Sequence, residues 1–164
     1  YKGLMFLVTT LILVCFGIIA YQDFKDRAVL WTLFPLLGIF LVTGHLLNLS
    51  VEEVAIFSAL NLTIVGLILS ISWLYTIWVM KIPFLNAAFG LGDMLFFFAF
   101  ALGFPTVTFL VLFVSSLLFS AMAFFILNLF AKMETVPLAG LMGIFLIGVV
   151  LISKVPGLPS LYSI

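Results

Sequence analysis

Long stretches of this chain run without one Asp, Glu, Lys or Arg: 3–21, 29–48 and 106–130 are examples. Each is close to the roughly 20 apolar residues that cross a hydrocarbon core about 30 Å thick. None shows the period-two alternation of a barrel strand, so the spacing predicts helices. Composition agrees. The 164 residues are 66% hydrophobic and 7% charged, against about 45–50% and 25% in soluble domains. A soluble core of this size could not hide that much apolar surface, so the solvent must be lipid. In lipid every backbone polar group must be paired within the protein, which leaves helical bundles and closed barrels. The expected fold is therefore all-α, a polytopic bundle of about six transmembrane helices in one membrane-embedded domain, 1–164.

The spans read as 3–21, 29–48, 53–80, 88–104, 106–130 and 136–153. Short polar breaks separate them. Ser50-Val51-Glu52-Glu53 is a capping box that opens the third span. Pro105 and Pro137 suit the first turns of the fifth and sixth. Pro35 falls inside the second, where a kink is tolerated only if neighbouring groups take up the freed carbonyl. Lys25, Arg27, Lys81 and Lys132 all lie in odd-numbered loops, and only Lys2 and Lys154 lie on the other side. The positive-inside rule then places the odd loops in the cytoplasm. Tyr21, Trp31, Tyr75 and Trp78 gather at that same interface as an aromatic belt would.

Zero net charge argues against nucleic acid as a partner. The single Cys15 excludes an internal disulfide and a CxxC zinc site, and reads as a buried thiol. The first span is too long for a cleavable signal and ends in charges. His45 falls at the leaflet opposite Asp23 and Asp93 and reads as an interfacial polar residue. With one His and one Cys far apart, no metal site is expected, nor any cofactor. Asn61, Asn128, Ser115, Ser116 and Ser120 are expected to bond between helices. The many Phe residues read as lipid-facing or packing groups.

Two acids stand out. Asp23 closes the first span and Asp93 opens the fourth, directly after Gly90-Leu91-Gly92. If the second and third spans each cross once, both acids lie on one side, just inside the membrane boundary. Two carboxylates within hydrogen-bonding reach cannot both ionise comfortably and share a proton. One can then activate water while the other polarises a peptide carbonyl. Gly90 and Gly92 would allow close backbone approach and unusual dihedrals. Each acid also has a plainer reading: Asp93 as an N-cap or first-turn acid, Asp23 as a loop charge paired with Lys25 or Arg27. Their coincidence on one side favours function.

Gly90-Leu91-Gly92-Asp93 matches the GxGD signature of polytopic aspartyl proteases. Within that group the chain resembles the type IV prepilin and preflagellin peptidases. Asp23-Phe24-Lys25-Asp26-Arg27-Ala28-Val29 is similar to their D-x-K-x-R-x-[IV] stretch. Glu134-Thr135-Val136-Pro137-Leu138-Ala139-Gly140 resembles the I-P-x-x-P stretch before their last core span. Leu95 stands where members commonly have Lys, and Leu30-Trp31 where they often have Pro-Asn. The resemblance implies a metal-independent aspartic endopeptidase with Asp23 and Asp93 as catalytic pair and Gly90, Gly92, Lys25 and Arg27 in support. Its register prefers Asp23 over Asp26. It further implies prepilin-like substrates, cut at the cytoplasmic face of the cell membrane between a basic leader and an apolar helix. The absence of the cysteine-bearing insert of the bifunctional enzymes implies peptidase activity alone. A second reading uses the paired acids in a proton- or cation-coupled transporter.

Overall fold

The computed structural model describes residues 1–81, 89–130, 135–155, 157 and 160–162. It is all-helical: α1 (Lys2–Asp26), α2 (Leu33–Leu46), α3 (Val51–Tyr75), α4 (Leu91–Ala101), α5 (Thr106–Phe130) and α6 (Leu138–Ile152), with a π-helical turn, Thr76–Met80, extending α3. The expected all-α membrane bundle is what the chain forms. Among the described residues three helices, Lys2–Asp26, Val51–Met80 and Thr106–Leu129, are long and apolar enough to cross a bilayer. The others are shorter than their predicted spans. At 1.5 Å per residue, α4 is only about 17 Å long and α2 about 21 Å, against about 37 Å for α1.

Local signals explain most boundaries. Ser50 caps α3 as expected: Glu53 N–H donates to Ser50 Oγ (3.3 Å), and Ser50 N–H donates to Glu53 Oε2 (2.9 Å). Helix α1 does not stop at residue 21. Nothing in Gln22 to Lys25 breaks a helix, so it runs on to Asp26 and ends where Arg27 turns left-handed (φ 53°). Asp23 therefore sits in a helical turn and not in a loop. Pro35 does not interrupt a helix either. Because α2 begins at Leu33, Pro35 lies in its first turn, where the missing N–H would have had no partner. Pro105 and Pro137 stand one position before α5 and α6 rather than in their first turns; their carbonyls accept the N–H of Phe109 (2.8 Å) and Leu141 (2.9 Å).

Contacts fix the direction of each helix. Phe16 of α1 lies against Gly143 of α6, while Val8 and Ile12 lie against Gly44 near the end of α2. Thus α1 is antiparallel to both. His45 of α2 reaches Leu102 after α4, and Phe34 at the start of α2 meets Gly92 at the start of α4, so α2 and α4 run parallel. Phe100 and Phe97 of α4 pack on Phe109 and Phe113 of α5, with ring centroids 5.3 and 4.9 Å apart, so those two helices alternate. Helices α1 and α5 therefore run one way and α2, α4 and α6 the other. The core is an aromatic column of Phe16, Phe96, Phe100, Phe104 and Phe109, closed by Leu37, Met142 and Leu146. Edge-to-face pairs such as Phe97–Phe113 (78°) stabilise by about 0.5–1.5 kcal/mol beyond area burial.

Several polar residues deviate from expectation. His45 is fully buried, not interfacial, because Leu102 and the Tyr162 ring cover it. Ser116 and Ser120 bond carbonyls of their own helix, Phe113 and Ser116. Helix-internal partners lie within reach of a short hydroxyl, whereas a neighbouring helix does not. Asn61, with its longer amide, does bond across helices. Cys15 is buried and unpaired, as expected. Tyr21, Trp31, Tyr75 and Trp78 are all exposed. Glu134 and Lys132 lie outside the described residues.

Candidate active site at the start of helix α6

The first N–H groups of a helix have no partner within it, and the aligned peptide dipoles make that end electropositive. In α6 two of these donors are taken by acids from two other helices. Ala139 N–H donates to Asp93 Oδ1 (3.0 Å), and Gly140 N–H donates to Asp23 Oδ2 (2.7 Å). Consecutive amides thus bring together carboxylates that are 70 residues apart in sequence, from the end of α1 and the start of α4. They are close enough to interact electrostatically. Both side chains are half-buried. An N–H donor near an anion at a helix N-terminus stabilises by about 0.3–1 kcal/mol, and up to about 2 when partly buried.

This arrangement shows what each acid is bonded to. Asp93 occupies the third position of α4, but its own helix is begun by Gly90 with no side-chain cap, and the Asp93 carboxylate caps α6 instead. Asp23 is bonded to α6, while Arg27 at the end of α1 is near enough for its charge to act on it. Asp26, Lys25 and Arg27 are exposed. The Lys25 ammonium lies over the Tyr21 ring, 5.4 Å from its centroid. Asp23 and Asp93 therefore come together; Asp26, Lys25 and Arg27 stay at the exposed rim.

The glycines act through space rather than dihedral freedom. Gly90 has φ −72° and ψ 137°, ordinary extended backbone open to any residue. A Cβ there would lie 2.9 Å from Asp93 Oδ2, so its bare Cα makes room for that carboxylate. Gly92 is helical, and a Cβ on it would make only an ordinary 3.5 Å contact with the Phe34 ring. It shows no need for glycine beyond that contact. The α6 amides were not legible as site groups, because every residue except proline carries an N–H. The only sequence signal was the Pro137-to-Gly140 stretch.

A groove of about 450 Å³ lies between α2 and α4, and Leu95, two residues after Asp93, is among its lining residues. Phe34, which meets Gly92, stands at its head, and it continues past Pro35, Ile39, Leu95, Phe98 and Leu102 between α2 and α4. Its lining is almost wholly apolar. Among the described residues no group of three or more His, Cys, Asp or Glu is placed to hold a metal ion. The chemistry on offer is that of two carboxylic groups, each anchored by one oxygen. The opposite oxygens, Asp23 Oδ1 and Asp93 Oδ2, are not engaged by the α6 amides. No family model, curated protein or solved structure matches the chain.

Proposed function

We propose that the chain is an integral-membrane aspartic endopeptidase using Asp23 and Asp93. The observation that carries this reading is the convergence of the two carboxylates on consecutive amides of α6. One carboxylate in the ionised form takes a proton from water, and the other, protonated, donates to the scissile carbonyl. The anchored oxygens fix both groups without consuming the oxygens needed for that exchange. The adjoining groove supports a substrate whose cleaved bond borders an apolar helix, as in prepilin-like precursors. Basic residues Lys25 and Arg27 at the rim fit a site at the cytoplasmic face of the cell membrane.

The test is cleavage in detergent micelles of prepilin-like peptides carrying a basic leader and an apolar helix. Wild type should cut, and Asp23→Asn and Asp93→Asn should each lose about 10²–10⁴-fold in turnover. A folded wild type that cuts none of the panel, yet moves protons in liposomes, would assign the acids to transport.

A further inference from the structure

We propose that Gly140 is the positioning residue for Asp23, required because only a residue without Cβ lets the α6 amide close on that carboxylate. Its catalytic consequence rests on the aspartic-peptidase reading; the geometry does not. Gly140 is the third residue of α6 after its N-cap, Pro137. Its N–H reaches Asp23 Oδ2 at 2.7 Å. A Cβ at this position would lie 3.1 Å from Oδ2, 3.2 Å from Asp23 Cβ and 3.2 Å from Phe24 Cδ2. All three distances are tighter than ordinary van der Waals contact, and one of the atoms belongs to the stem of the acid and cannot rotate away.

Relief would have to come from moving the helices apart or from moving the acid. The helices are held close further along, where a Cβ at Gly143 would already be 3.4 Å from the Phe16 carbonyl oxygen. Interiors packed this closely do not open by tenths of an ångström without loss elsewhere. The half-buried carboxylate is the softer element, so a methyl at 140 displaces Asp23 from its amide. Asp93 keeps its own anchor on Ala139. The pair is then broken on one side only, with both acids still present.

Helix α6 contains its own control. Nothing lies within 4 Å of a Cβ built on Gly148. Alanine is the better helix former at either position, so a loss confined to Gly140→Ala cannot come from helix propensity.

The experiment compares wild type, Gly140→Ala and Gly148→Ala in the peptide assay and by amide NMR in micelles. Gly140→Ala should lower kcat about tenfold or more, with KM within about twofold, because the groove is untouched. Gly148→Ala should match wild type. In wild type the residue-140 amide resonance should move on Asp23→Asn and stay on Asp93→Asn; in Gly140→Ala the response to Asp23→Asn should vanish. A Gly140→Ala enzyme with full kcat overturns the proposal, as does equal loss in both glycine variants. So does a wild-type residue-140 amide indifferent to Asp23→Asn. If the amide responses appear as expected while wild type cuts no peptide, the positioning stands and the peptidase reading alone falls.

Discussion

The two ends of the bundle solve one problem with different chemistry. At both, side chains from one helix satisfy the unpaired terminal backbone groups of another. At the end remote from the acids the groups are an amide and an imidazole. Asn61 Nδ2 donates to the carbonyls of Ala101 and Phe104, 2.9 Å each, and His45 Nδ1 lies 3.1 Å from the Leu102 carbonyl. Asn61 and His45 are completely buried. At the acid end the partners are carboxylates on N–H groups, and they are only half-buried. Stability needs capping at both ends. It does not need ionisable caps left half open to the surroundings, and that excess sets the α6 end apart.

The sharpest way to break this comparison separates tying from chemistry. In Asp93→Asn and Asp23→Asn the amide oxygen still accepts from α6, so the three-helix tie survives and unfolding should shift by about 1 kcal/mol or less. Turnover should fall about 10²–10⁴-fold. Asp93→Ala would lose both, and should unfold about 1–2 kcal/mol more easily than Asp93→Asn. Denaturant titration in micelles beside the cleavage assay reads the two effects. An Asn variant as unstable as the Ala variant would reduce the acid end to a structural cap like its counterpart.

The remote end should show the reverse pattern. Asn61→Ala strands two buried carbonyls and opens a cavity, costing about 2–4 kcal/mol, while the kcat of whatever protein remains folded is unchanged. Loss of kcat in folded Asn61→Ala would mean the two ends are coupled. Between them lies the groove. Ile39 lines it and is 61% exposed, so Ile39→Trp can add bulk without entering the core. KM should rise about tenfold at constant kcat, read from initial rates over a peptide series. A fall in kcat alone would place the substrate helix elsewhere.

Much of this was legible in the sequence, and what was not has a common cause. That Asp23 and Asp93 lie at one end of the bundle was expected from counting crossings, and the Ser50–Glu53 cap from four adjacent letters. Both are properties of side-chain type and order. Helix length was misread where hydrophobicity and helix formation part: among the described residues of the apolar stretch 89–104, α4 is helical only over Leu91–Ala101, and α1 is helical through charged residues to Asp26. His45 was misplaced because burial depends on what folds over a position, here Tyr162. The α6 amides were invisible because backbone donors leave no mark in the alphabet. Gly140 and Gly90 could be marked as glycines, but the reason for glycine is the position of a carboxylate, and that required the fold.

The smallest effect concerns a cap that is neither buried nor shared between helices. Ser50 and Glu53 satisfy one another within four residues of chain, and Ser50 is exposed. Ser50→Ala removes the acceptor for Glu53 N–H and the hydroxyl that donates to Glu53 Oε2 at 2.7 Å. Water can replace both partners at this exposed position, so the cost is that of an ordinary N-cap, about 1 kcal/mol. Hydrogen exchange should rise in the first turn of α3 and leave the Ala139 and Gly140 amides unchanged. Faster exchange at those α6 amides would show that even a local cap at one end reaches the acids at the other, and the separation of the two ends would fail there first.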